Sequence, residues 1–178
     1  MTDTGGNRWK DLSNVRVGAY SEMNIPSVFQ TFISQVRSAF HFLVRDYGFR
    51  VTAERAVGSE AWVAYENATT RATVHYELGA EPSVEIGRRE LRAGRRVQPA
   101  SISLDLLLRE RGSPLSDTID VPREIEDGEK SRMIALRAER LHAFGDDVLR
   151  GDFRLFPKLQ TKAERELLKR EAELFNKD

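Results

Sequence analysis

The first regular pattern in the chain is a helical one that begins near residue 25. Apolar residues recur there every three or four positions, a spacing that places them on one helical face. They are Ile25, Val28, Phe29, Phe32, Ile33, Val36, Ala39, Phe40, Leu43 and Tyr47. Pro26 suits a first turn, Ser27 and Gln30 have capping-box spacing, and Gly48 is a typical residue after a last turn. The pattern predicts one helix that ends at Gly48.

From Phe49 onwards apolar and polar residues alternate, which is typical of strands with one buried face. Four such segments lie between residues 49 and 86, and turn-forming residues separate them. Connections this short predict antiparallel pairing of consecutive strands. A fifth strand is predicted over 102–108, although Leu106 and the residues that follow it could equally open a helix.

The alternation divides the strand residues between two faces of the predicted sheet, of which an antiparallel sheet needs only one to be covered. The covered face is predicted to carry Phe49, Val51, Val63, Tyr65, Val74, Tyr76, Val84, Ile86 and Leu104. The open face is predicted to carry Arg50, Thr52, Glu54, Trp62, Thr73, His75, Glu77, Glu85, Ser103 and Asp105.

Helical spacing returns in the last third of the chain. It predicts a helix over 129–149 closed by Gly151, and a last helix that starts at a capping box formed by Thr161 and Glu164. Residues 1–24 are predicted to form a flexible lead-in, and residues 25–178 are predicted to form a single α+β domain. Its predicted architecture is a four- to five-stranded antiparallel meander with one N-terminal and two C-terminal helices packed on one face.

Composition narrows the range of functions. The 178 residues include 28 Lys+Arg and 28 Asp+Glu, so the net charge is zero, and nucleic-acid or membrane-surface binding has no whole-chain electrostatic basis. With no Cys and three widely spaced His, the sequence predicts no metal and no cofactor. It contains neither a serine-nucleophile turn nor a phosphate-binding loop, which favours a non-enzymatic protein. No apolar run reaches the ~20 residues of a membrane span, so we expect a cytoplasmic protein.

Charge is unevenly distributed at two places. Residues 88–96 hold five Arg and one Glu, a local charge of +4, and residues 117–129 hold six acidic residues against Arg123, a local charge of −5. Arg and exposed aromatic residues often anchor interfaces, whereas acidic clusters steer association. The predicted binding residues are therefore Trp62, His75, Arg88, Arg89, Arg92, Arg95, Arg96, Glu124, Glu126 and Asp127.

Four short stretches carry a resemblance to a known kind of protein. They are Phe42-Leu43 through Tyr47-Gly48-Phe49, Trp62-Val63-Ala64-Tyr65-Glu66, Val84-Glu85-Ile86-Gly87 and Leu149-Arg150-Gly151-Asp152-Phe153. Over roughly residues 40–160 the chain resembles small bacterial α+β proteins of the immunity-protein type. The resemblance implies a helix, a strand meander and a helical tail, and a protein that neutralises a toxin by binding it.

The leading hypothesis is a non-enzymatic protein-binding module, in its specific form an immunity-type inhibitor of a toxin. One alternative is a small-molecule binder or hydrolase with a pocket between sheet and helices, lined by Tyr65, Tyr76, Phe153 and Phe156. Another is nucleic-acid contact through the Arg-rich turn 88–96, which lacks interleaved aromatic residues for base stacking. We expect another protein as partner, rather than nucleic acid or a membrane. The sequence leaves open whether the chain forms a homo-oligomer.

Overall fold

A computed structural model describes residues 25–89, 101–113 and 127–175 of the chain. Five strands form one antiparallel sheet, in which each strand pairs with the next one along the chain. They are β1 (Arg50–Val57), β2 (Glu60–Glu66), β3 (Thr70–Glu77), β4 (Ser83–Arg88) and β5 (Ser101–Ser103). Helices pack on one face of this meander, so the predicted α+β fold is confirmed.

Six helices build the second layer in the described part of the chain. They are α1 (Ser27–Ala39) and α2 (His41–Tyr47) before the sheet, α3 (Leu104–Glu110) after β5, and then α4 (Asp127–Phe144), α5 (Asp146–Leu149) and α6 (Phe156–Phe175). Their apolar faces and the inner face of the sheet form one core. The predicted lead-in, residues 1–24, lies outside the described residues.

The N-terminal helix is divided, where the sequence predicts a single one. Phe40 separates α1 from α2 with φ −94° and ψ 12°, and its side chain is fully buried. The capping box is also absent, because Pro26 precedes the helix without a side-chain cap and the Gln30 amide donates to Ile25 O at 3.0 Å. Gly48 ends α2 in the left-handed conformation, as predicted.

The C-terminal helices also differ from the predicted boundaries. Gly145 separates α4 from α5, and a Cβ atom at this position would stand 2.6 Å from the carbonyl oxygen of Leu141. The last helix begins at Phe156 rather than at Thr161. The Thr161 hydroxyl donates to Pro157 O at 3.0 Å, within the helix, so the predicted capping box is wrong.

The predicted fifth strand over 102–108 is wrong beyond Ser103, and the helical alternative holds. The Ser103 hydroxyl accepts a hydrogen bond from the Leu106 amide at 3.3 Å, which caps α3. A helix can bury the consecutive residues Leu106, Leu107 and Leu108, whereas an alternating strand would expose one of them. Asp105 therefore lies on α3 and not on the open face of the sheet.

A β-bulge between Val51 and Ala53 reverses the predicted faces of β1 from Ala53 onwards. Val51, predicted to be covered, is 39% exposed. Glu54, predicted on the open face, pairs with the buried Val63 and binds Arg37 of α1, with 2.7 Å between Nη2 and Oε2. The remaining covered-face residues of the sheet are buried as predicted: Phe49, Val63, Tyr65, Val74, Tyr76, Val84 and Ile86. Leu104 is buried too, but it lies on α3 and not on the sheet.

Candidate functional site

The open face of the sheet contains a depression of about 560 Å³. Strands β2, β3, β4 and β5 form it, and its lining includes Trp62, Arg71, Thr73, His75, Glu85 and Arg88. Three of the predicted binding residues, Trp62, His75 and Arg88, thus line one depression although they come from three strands. The sheet brings them together because β2, β3 and β4 are neighbouring strands, each paired with the next.

The depression has a defined order along the strands, which we read from cross-strand pairs. Trp62 and His75 are direct partners between β2 and β3, and they form its aromatic end. Thr73 is paired with Glu85 two residues further along. Direct partners share a face, and two residues advance a strand by about 7 Å. The carboxylate of Glu85 therefore follows the aromatic pair.

Arg71 and Gly87 form the next pair, and Gly87 is paired in turn with Ser101 of β5. We call this part of the depression, with the neighbouring Arg88, the arginine end. The guanidinium carbon of Arg88 lies 4.9 Å from the centroid of the Phe153 ring, in cation–π contact. The arginine end thus contains two guanidinium groups. That of Arg71 forms an ion pair, and that of Arg88 packs on an aromatic ring.

Ion pairs set the charge around the depression. Glu66 Oε1 lies 3.8 Å from Arg71 Nε, and Glu66 Oε2 lies 3.4 Å from Arg89 Nε. Arg89 also donates to Asn67 O at 3.1 Å, so this predicted binding residue is bound within the fold. By contrast, no described residue forms a hydrogen bond or an ion pair with the exposed Glu85 carboxylate.

His75 is the one histidine in the lining of the depression. Its Nε2 lies 3.5 Å from Glu60 Oε2, and the His75 side chain is 36% exposed. Ser83 is its cross-strand partner on β4, but no hydrogen bond joins the Ser83 hydroxyl to the imidazole. This row of Glu, His and Ser therefore lacks the nucleophile–base contact by which a serine hydrolase is recognised.

The other predicted site residues have different outcomes. Arg92, Arg95, Arg96, Glu124 and Glu126 lie outside the described residues, and Asp127 is the first residue of α4. The prediction missed Arg71, which lines the depression. Its signal was present in the sequence, since the same alternation that placed Thr73 and His75 on the open face also applies to residue 71.

The four aromatic residues that were predicted to line a pocket between sheet and helices belong to the core. Tyr65, Tyr76, Phe153 and Phe156 are 1%, 4%, 7% and 3% exposed. The rings of Phe153 and Phe156 meet edge to face at 4.8 Å, and Tyr76 packs on Phe32 at 5.2 Å. These side chains fill the space between the layers together with other core residues.

Two further features bear on the class of site. Within the described ranges, no three His, Asp or Glu side chains are grouped so that they could hold a metal ion. None of the helices described has both the length and the apolar character required to cross a membrane.

Comparison with known proteins adds no relative. No family model, no curated protein and no solved structure matches the chain.

Proposed function

We propose that the chain is a non-enzymatic protein-binding module that binds its partner with the open face of the sheet. The observation that carries the proposal is the depression on this face, in which Trp62 and His75 form one end and Arg71 and Arg88 the other. Trp and Arg are the residue types most enriched among interface anchors. An anchor residue must lie on a surface that its own fold does not cover. The open face meets this condition because the helices pack on the opposite face.

An immunity-type inhibitor of a toxin is the specific form of this proposal. It is supported by the sequence resemblance over roughly residues 40–160, and in this form the bound partner is the toxin itself. The neutral net charge is compatible with a partner chosen by local contacts rather than by the overall field.

Small-molecule binding in the same depression is a second candidate function. A volume of about 560 Å³ falls within the range of ligand sites, and polar groups converge on it. Protein binding is favoured because the depression is formed by a sheet surface and not by a cleft, so a small ligand would keep much of its surface in water.

Capture of partners from the cells that naturally produce the chain tests the proposal. The bait proteins are the tagged wild type, Trp62→Ala and a control, Val28→Ala, which truncates an exposed residue on α1. We expect the wild type and the control to retain the same protein, and Trp62→Ala to weaken that complex by about 1–3 kcal/mol. Equal retention of the partner by all three baits contradicts the proposal. A small metabolite that copurifies with the wild type and is lost from Trp62→Ala supports the second candidate.

The immunity form has its own readout. The captured protein is expressed alone and together with this chain, and growth of the host is measured. Toxicity that the wild-type chain relieves and Trp62→Ala relieves less supports an inhibitor. A captured protein that is harmless when expressed alone contradicts the toxin form and leaves the binding module in place.

A further inference from the structure

The arginine end of the depression carries an excess of positive charge. Glu66 is the carboxylate in contact with it, and this single charge is shared between Arg71 at 3.8 Å and Arg89 at 3.4 Å. Arg88 contacts the Phe153 ring and forms no ion pair with any described residue. Among the described residues, Arg71 and Arg89 thus share one carboxylate and Arg88 has none, which leaves this end of the depression with a charge of +2.

The arginine that lies within the sheet is available to a ligand. The Arg71 side chain is 42% exposed, and its 3.8 Å contact with Glu66 is longer than a charge-assisted hydrogen bond of about 2.7–2.9 Å. Gly87, its cross-strand partner, contributes no side chain beside it. The planar guanidinium of Arg71 can therefore form the two parallel hydrogen bonds that a carboxylate accepts.

We propose that the arginine end binds an Asp or Glu carboxylate of the partner protein, with Arg71 as the principal donor and Arg88 at the rim. This inference rests on the proposed function, and it defines the chemistry that the partner presents. The partner's acidic side chain would enter about 14 Å from the pair of Trp62 and His75, since Arg71 and His75 are four positions apart on β3.

Glu85 favours a protein over a nucleic acid as the source of the anion. Its carboxylate, to which no described residue is bound, lies between the arginine end and the aromatic end. A nucleic-acid strand carries a phosphate on every nucleotide, so a strand laid along the depression would bring a second negative charge towards Glu85. A protein segment can present one isolated carboxylate to Arg71 and a neutral or basic group to Glu85.

Titration of the ¹⁵N-labelled full chain by NMR tests the ligand chemistry directly. The probes are a capped Thr-Glu-Thr peptide, the matched Thr-Gln-Thr peptide and a uridine hexanucleotide, each up to about 10 mM, a concentration that detects weak contacts. We expect the Glu peptide to shift the amide signals of Gly87 and Arg88, and Arg71→Gln to weaken its binding about tenfold. The control Arg132→Gln, an exposed arginine on α4, should leave the titration unchanged.

Equal effects of the Glu and Gln peptides, or no Glu-dependent shift up to the highest concentration, overturn the inference. If the hexanucleotide binds more tightly than the Glu peptide, and Arg71→Gln abolishes that binding, the site is assigned to nucleic acid instead.

The capture experiment separates this inference from the proposed function. Both the proposed function and this inference are supported if the partner is lost from Trp62→Ala and from Arg71→Gln but retained by Arg132→Gln. A partner that depends on Trp62 but not on Arg71 overturns the carboxylate site and leaves the binding module standing. A partner that depends on neither residue contradicts both.

Discussion

The side-chain amide of Asn67 donates a hydrogen bond of 3.1 Å to the carbonyl oxygen of Leu149, 82 residues further along the chain. The same nitrogen lies 3.3 Å from the carbonyl oxygen of Tyr47, and the Asn67 Oδ1 accepts from the backbone amides of Thr69 and Thr70 at 3.0 and 2.8 Å. One side chain thereby joins the turn between β2 and β3 to the ends of α2 and α5.

Replacing this residue should be costly. Asn67→Ala leaves two carbonyl oxygens and two amides without their partner, and we expect the free energy of unfolding to fall by about 2–3 kcal/mol. Asn67→Asp retains the acceptor for Thr69 and Thr70 but turns a carboxylate oxygen towards the two carbonyl oxygens, so we expect it to be destabilised as well. Urea denaturation followed by circular dichroism measures both. Equal stability of Asn67→Ala and the wild type would contradict this role.

Gly151 and Gly58 form a matched pair of glycines with positive φ. A Cβ atom at Gly151 (φ +91°) would lie 2.6 Å from Thr69 Oγ1, whereas one at Gly58 (φ +60°) would meet no atom within 4 Å. We expect Gly58→Ala to cost about 1 kcal/mol through backbone strain alone, and Gly151→Ala about 3 kcal/mol because overpacking adds to it. Thermal unfolding of both variants checks the order, and similar losses would show that the contact with Thr69 relaxes freely.

Trp62 and Tyr65 lie on β2 but face opposite sides of the sheet. Tyr65 is 1% exposed, and its hydroxyl donates to Val36 O at 3.4 Å, whereas Trp62 lines the depression. We expect Tyr65→Ala to cost about 3–5 kcal/mol and Trp62→Ala about 1 kcal/mol. Equilibrium denaturation compares the two. A loss at Trp62 as large as that at Tyr65 would mean that Trp62 serves the fold rather than a partner.

The Glu110 carboxylate links α3 to α6. It accepts a hydrogen bond from Lys158 and lies 3.7 Å from Lys162 Nζ, and the bond from Lys158 is the main reason that the pKa of Glu110 lies below its usual value. A pKa lower in the folded than in the unfolded state stabilises the fold above the unfolded-state pKa of about 4.3. That contribution is lost as the pH falls through the lower folded-state pKa.

We therefore expect Glu110→Gln to be less stable than the wild type at pH 7 and equally stable at about pH 2, where the carboxylate is protonated in both states. Guanidinium denaturation at the two pH values measures the difference. Glu139→Gln on α4, an exposed residue without a described ion pair, is the control. A difference between wild type and Glu110→Gln that persists unchanged at low pH would contradict the electrostatic origin.

Periodicity alone determined the sheet and most of its two faces. A two-residue repeat is a property of the extended chain itself, so residues such as Val63 and Trp62 can be assigned to opposite sides before any contact is known. The same repeat placed His75 beside Trp62 on the open face, because short hairpins leave consecutive strands little choice of register. The aromatic end of the candidate site was accessible to sequence reasoning for this reason.

Tertiary packing decided where the repeats are interrupted. The bulge near Val51 turns Glu54 towards Arg37, the break at Phe40 buries its ring, and Leu104 starts a helix where the alternation continues. Contacts with distant elements select the conformation at these positions, because tertiary packing overrides local propensity.

The charge of the site was decided in the same way. Five arginines in 88–96 form a visible run in the sequence, yet Arg88 packs on Phe153 and Arg89 binds Glu66. Arg71, which the structure places within the sheet surface of the depression, stands outside that run. Which guanidinium remains available depends on which carboxylates and rings the fold brings within about 4–6 Å, and residues far apart in sequence supply them.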